Sequence, residues 1–235
     1  MTPERERIRP ARRKAAPPTE RKAGSSTSHY FDKQPDVASR PKEIPTRIQG
    51  IDFTFQTDNG VFSKGRIDFG SNLLIDAAAV DLKKAGIRKG RLLDIGCGYG
   101  PIGIALKRIF PAMEPTLSDV NERSLKLAKK NAEHNGVKAA AFVLSDAFSK
   151  LPGPFDIVVT NPPVRAGKAT VHAFFEGAFE RLVTGGRLYV VLQRKQGAPS
   201  ATEKLEAIFG NCEAIEKDGG YRVLRCIKKD VTNGL

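Results

Sequence analysis

Residues 91–100 read RLLDIGCGYG, and Pro101 follows. A short apolar run ends in Asp94 and then breaks into three alternate glycines, Gly96, Gly98 and Gly100. The run reads as a buried strand. Glycines allow a tight turn and close approach of backbone to a ligand. Proline suits the first turn of a helix. Strand, glycine loop and helix therefore follow one another, which is how a βαβ unit begins. The dinucleotide fingerprint G-x-G-x-x-G would need its third glycine where Pro101 stands, so a dehydrogenase spacing is excluded.

Downstream the same rhythm repeats. Strands are expected at 115–118, 140–144, 155–160 and 187–192, with helices at 101–110, 121–135, 169–182 and 200–209. The pattern predicts a mostly parallel sheet covered on both faces. The tail departs from it. Residues 212–216 and 221–227 flank Lys217-Asp218-Gly219-Gly220, a strand, tight turn and strand. The fold class expected is α/β, a Rossmann-like, seven-stranded sheet closed by an antiparallel C-terminal hairpin. Residues 91–230 form this domain.

Residues 29–90 read as a small hairpin-and-helix lead-in. Ile51–Phe55 alternates at period two, Asp58-Asn59-Gly60 signals a turn, and Val61–Ser63 is the expected return strand. Ser71 is the expected N-cap of a helix reaching Lys84 and stopped by Gly86. Residues 1–28 carry eight Arg/Lys against three Glu, with four prolines. They have almost no large apolar side chains, which predicts a disordered basic arm. The whole chain of 235 residues carries a net charge of +13 and 40% apolar residues. That balance favours a globular core and a polyanionic partner, RNA above all. The three cysteines, Cys97, Cys212 and Cys226, form no CxxC pair, and the histidines form no HExxH. Neither a metal site nor a disulfide framework is expected, and the setting expected is the cytoplasm.

The pattern Asp94-x-Gly96-x-Gly98-x-Gly100 resembles the first motif of class I S-adenosylmethionine-dependent methyltransferases. The resemblance implies S-adenosylmethionine as cofactor, held by Gly96, Cys97, Gly98 and Gly100, with Asp94 near its amino group. Asp119, with Val120 beside it, ends the second strand, where a carboxylate can accept both ribose hydroxyls. Asp146 and Ala147 follow the third strand, where the family contacts adenine, and Phe148 offers an apolar wall. The fourth strand stops at Asn161-Pro162-Pro163, next to the first strand and so facing the cofactor. Prolines stiffen that turn. The Asn161 side-chain oxygen and the Pro162 carbonyl can accept the N–H bonds of an exocyclic amine, align it and stabilise the charge that grows on nitrogen. The tetrad resembles that of methyltransferases acting on exocyclic or amide nitrogens. Its usual aromatic is here Val164, and Phe62 or Phe148 is the expected substitute.

Gly60–Ser63, Asp68-Phe69-Gly70-Ser71, DIGCGYGPIG, TNPPVRAGK with His172, and Gln193–Ala198 together resemble single-domain bacterial relatives of small-subunit rRNA guanine-N2 methyltransferases, from about His29 to Lys228. The resemblance implies methyl transfer to guanine N2 in rRNA. Phe62, Arg165, Lys168, His172, Arg194 and Lys195 are the expected substrate contacts, the cations meeting phosphate. The alternatives are an N6-adenine methyltransferase on RNA or DNA, a protein-glutamine methyltransferase, and a non-catalytic RNA-binding or ribosome-assembly factor that keeps the fold.

Overall fold

A computed structural model describes residues 40–58, 66–138 and 140–230. The basic arm, the return strand expected at Val61–Ser63 and Phe62 within it lie outside the described residues. Strand β2, Ile51–Thr57, pairs with the preceding strand β1, Lys42–Ile48, in full antiparallel register. Gln49 and Gly50 turn between them with φ of +50° and +78°, the left-handed pair that matches strand twist in a two-residue hairpin. Pro45 disguises β1 in the sequence, and an edge strand tolerates it.

Helix α1 spans Phe69–Lys84, and its N-cap is Asp68 rather than Ser71. The Asp68 carboxylate accepts from Ser71 N at 3.2 Å. After it come β3 Lys89–Ile95, α2 Pro101–Ile109, β4 Ala112–Asp119, α3 Glu122–His134, β5 Ala141–Leu144 and β6 Phe155–Thr160. Then follow α4 Lys168–Arg181, β7 Leu182–Gln193, α5 Ala198–Phe209, β8 Glu213–Asp218 and β9 Tyr221–Ile227. The seven-stranded sheet has the order β5-β4-β3-β6-β7-β9-β8. Its first five strands run parallel, and β9 is antiparallel to both β7 and β8. The expected sheet and its C-terminal hairpin are both present.

Side-chain alternation divides the core into two layers. Leu92, Ile157, Val159, Tyr189, Val191 and Val223 face α1, α2, α3 and the β1–β2 hairpin. Leu93, Val158, Leu188, Val190 and Leu224 face α4 and α5. Parallel strands covered on both faces read as continuous apolar runs for this reason. Asp81 on α1 accepts from Tyr189 Oη and Arg225 Nη1, each at 2.6 Å, and from Arg187 Nη1. These bonds pin α1 across β7 and β9. No helix among the described residues is long and apolar enough to cross a membrane.

Candidate active site

The carboxyl ends of β3, β4, β6 and β7 open on a cavity of about 550 Å³, within the range of small-molecule sites. The loop after β3 forms its floor. Gly96 N and Cys97 N both donate to Ser118 O, at 2.8 and 2.9 Å. Gly98 has φ +58°, and a side chain added there would meet nothing within 4 Å, so the backbone faces open space. Gly100 is different: at φ +90° an added Cβ would stand 2.8 Å from Ile104 Cδ1 and 3.1 Å from Leu117 Cδ2. One glycine exposes the backbone to the cavity and the other lets α2 start against β4.

The two acids of this end are placed differently. Asp119 lines the cavity, where its carboxylate accepts from Gly98 N and Asn121 N, both at 2.8 Å. A carboxylate has about four acceptor sites, so capacity remains for a ligand's hydroxyls. Burial pushes its pKa up, against the backbone N–H groups of Asn121, Gly98 and Val120. Asp94 is not in the cavity wall. It is 1% exposed, and Oδ2 accepts from Gly103 N at 2.8 Å inside α2. Its Oδ1 is buried with no partner among the described residues. Burial raises its pKa to about 7 despite the Gly103 bond, and Asp119 adds to the rise. Cys97 lines the cavity as a neutral thiol, pushed up by burial and then by Asp119 and Asp94.

The remaining wall contains Val120, Asp146 and Ala147. Ala147 has φ +44°, and Ser145 Oγ donates to its carbonyl at 2.9 Å, which ties down this turn. An open glycine backbone, a carboxylate at the end of β4 and a third loop after β5 fit the parts of S-adenosylmethionine. Phe148 does not take part as expected. It is 8% exposed, wedged where a side chain on Gly177 would come within 2.2 Å of its ring.

Asn161 follows β6 and lines the cavity with Pro162 and Pro163. Thr160 anchors the strand end, its Oγ1 donating to Ile95 O at 2.9 Å. Pro162 O accepts from Val164 N at 2.8 Å across Pro163, which has φ −74° and ψ 74°. That is an inverse γ-turn, and the Pro162 carbonyl keeps a second lone pair. Asn161 Nδ2 donates to Asp68 Oδ1 at 3.2 Å, Asp68 Oδ2 at 3.3 Å and Ser71 Oγ at 3.2 Å. A carboxylate can only accept, so these partners fix which end of the amide is which. Among the described residues Oδ1 has no hydrogen-bond partner. Ser71 was read as a helix cap, and Asp68 only as part of the stretch Asp68-Phe69-Gly70-Ser71. Their bonds span 93 and 90 positions, and nothing in the local sequence announces them.

The expected substrate contacts divide. Arg165 lines the cavity from a single 3-10 turn, Val164–Ala166. Helix α4 starts only at Lys168, so Arg165 shares no helical face with Lys168 and His172. Thr170 and Phe174 are the α4 residues in the wall. At about 100° per residue Lys168 and His172 lie on the opposite side of the helix, and His172 packs near Phe175 at 6.2 Å. Arg194 and Lys195 are exposed just beyond β7 and do not line the cavity, whereas Gln193 does. Tyr99, Phe174 and Tyr221 also line the cavity and were missed.

The methyltransferase small domain family matches residues 52–225. A Bacillus subtilis (strain 168) protein named uncharacterized protein YbxB is 44% identical over 204 residues, covering 86% of this chain and 99% of that protein. Ribosomal RNA small subunit methyltransferase C of Serratia proteamaculans is 32% identical over 176 residues, 73% of this chain and 48% of its own. The T. thermophilus 16S rRNA N2 G1207 methyltransferase, solved with AdoMet and guanosine, superposes with a TM-score of 0.73 at 32% identity. That match covers 83% of this chain and 52% of the solved one. This chain spans about half the length of the rRNA methyltransferases it matches.

Proposed function

The chain belongs to the methyltransferase small domain family as a class I S-adenosylmethionine-dependent methyltransferase, and on that premise we propose that it methylates guanine N2 in RNA of the small ribosomal subunit, in the cytoplasm. The bound cofactor supplies an electrophilic methyl group on a sulfonium. Gly96, Gly98 and Asp119 would hold it, with Asp146 and Ala147 beside its base.

One observation carries the choice of acceptor: the amide of Asn161 has its N–H₂ end tied to Asp68 and Ser71. Its oxygen is left to accept. Pro162 has a carbonyl and no N–H, and Asp68 in the same wall is acceptor-only when ionised. Guanine presents N1–H and the N2 amine along one edge, all donors. Adenine places an acceptor, N1, beside its N6 amine, and that atom would face lone pairs. A site built to receive a donor rejects an analogue that lacks it, because its own groups are then left unpaired. Asn161 Oδ1 and Pro162 O hold the amine in line and oppose the positive charge that develops on nitrogen. The amine's proton leaves after transfer, so no strong base is required. A base within a duplex must first be flipped or presented in a loop. The charge of +13 supports an RNA partner and a binding constant that falls with salt.

The test is calorimetric titration of the cofactor-loaded protein with guanosine, inosine and adenosine. Guanosine is expected to bind about tenfold or more tighter than inosine, which lacks only the amine. Equal affinity for all three would contradict the acceptor assignment, and a preference for adenosine would transfer it to N6.

A further inference from the structure

The turn that replaces the usual aromatic with Val164 leaves a base at Asn161 without a stacking partner from that tetrad. An aromatic pair stands on the facing side. Tyr221, the first residue of β9, lines the cavity, and Phe69, the first residue of α1, packs against it with ring centroids 5.6 Å apart. Phe69 is 43% exposed, one of three large apolar side chains so exposed among the described residues. Glycines make room for both rings. A Cβ on Gly219 would stand 2.7 Å from Phe69 Cε1, and one on Gly70 would stand 3.0 Å from Tyr221 Cε1. The Gly70 position also measures distance: the same added Cβ would lie 3.1 Å from Asp68 Oδ1. Ring edge and carboxylate therefore flank one point, and that carboxylate holds Asn161 at 3.2 Å.

We infer that Tyr221, backed by Phe69, is the stacking wall for the target base, in place of the aromatic absent at Val164. The assignment rests on the reading of the site as one for a flipped base. A base held by its edge at Asn161 and Asp68 has its face within reach of Tyr221. Stacking on an aromatic ring is the common way of holding an unpaired base. Cations for the adjoining phosphates are at the same corner. Gln193 is the direct cross-strand partner of Tyr221, and Arg194 N donates to Gly220 O at 2.8 Å, which brings exposed Arg194 and Lys195 beside the hairpin turn. Stacking tolerates any base, whereas the acceptor set selects among them, so the two roles separate experimentally.

The chain has no tryptophan, so Tyr221→Trp installs a single reporter in the wall. Its fluorescence is expected to be quenched by short single-stranded RNA containing either guanine or adenine, with the cofactor affinity of the unsubstituted protein retained. Turnover is then compared in Tyr221→Phe and Tyr221→Leu. The first keeps the ring, and the second keeps apolar packing against Gly70 and Phe69 without a π face. Leucine is expected to lose roughly ten- to a hundredfold in kcat/KM for RNA relative to phenylalanine, mostly in KM. Equal activity of the leucine and phenylalanine variants, or no quenching by any RNA, would overturn the assignment. Quenching without any methylation of RNA by the unsubstituted protein would leave the wall standing and sink the proposed reaction.

Discussion

Asparagine amides join separate segments at several places among the described residues, and two of these places use them differently. In the seam between α3 and the β1–β2 hairpin, Asn135 accepts from Thr54 N at 3.1 Å and donates to Thr54 O at 2.9 Å. Asn131 accepts from Gln56 N at 2.7 Å and donates to Gln56 O at 2.9 Å and to Tyr99 O at 2.8 Å. Each amide imitates a neighbouring strand and closes the edge of β2, and both of its ends are used. At the end of β6, Asn161 uses only its donor end, on Asp68 and Ser71. Its acceptor end has no hydrogen-bond partner among the described residues, on a residue that lines the cavity. A polar group satisfied on every side holds a fold together; one satisfied on one side, and held rigidly by that side, is prepared to hold something else.

Breaking the open amide has the largest expected effect on turnover. Asn161→Ala is expected to lower kcat by roughly 10²–10³-fold or more, while the affinity for S-adenosylmethionine changes little. A variant with ordinary kcat would end the proposed mechanism. Next comes Asp68→Ala, which keeps the Asn161 amide but releases it to rotate and removes one acceptor from the wall. A loss of about ten- to a hundredfold is expected, in kcat more than in KM for RNA. Loss of the α1 cap lowers the midpoint of denaturation in either case, and an intact kcat of the folded protein would reduce Asp68 to that structural role.

The closed amide gives the reverse. Asn135→Ala strands the backbone of Thr54 and is expected to cost about 1–3 kcal/mol of stability by denaturant titration, with kcat unchanged. A fall in kcat at constant stability would show that the seam reaches the chemistry.

Asp94 provides the mildest contrast, read as a slope. Its pKa stands at about 7 in the folded chain, above the ordinary 3.8. The folded state therefore holds that proton more tightly than the unfolded state. Its contribution to stability is present in full below about pH 4 and is lost as pH rises through about 7. Asp94→Asn can still accept from Gly103 N and does not ionise, so its stability should decline less between those values. Parallel pH profiles would assign the slope to other groups.

The line between what the sequence disclosed and what it withheld follows the same division. Local signals were readable: the run Leu92-Leu93-Asp94-Ile95, the alternate glycines, Pro101 at the helix start and the abrupt stop at Asn161-Pro162-Pro163 each depend on neighbours in the chain. The fourth strand was expected beside the first, and β6 does pair with β3. Long-range side-chain bonds left no local trace. Asn131 and Asn135 look like ordinary helix residues, yet they pair with β2 across 75 and 81 positions. The strand β1 was hidden by Pro45. Lys168 and His172 turn away from the cavity because each lies two residues, about half a turn, from the lining residue Thr170, and Arg165 precedes α4. Phe148 was expected at the wall and is buried against Gly177, since a large ring next to a glycine on the facing helix packs inward.

The most direct test of the half-satisfied amide is methyl transfer from labelled S-adenosylmethionine to small ribosomal subunits and their RNA, taken from a strain lacking this protein, with the modified nucleoside identified and Asn161→Ala run beside the unsubstituted chain. The account expects label in N2-methylguanosine from the unsubstituted chain and almost none from the variant, although the variant still binds the cofactor. Label in N6-methyladenosine, or equal label from both proteins, would contradict it.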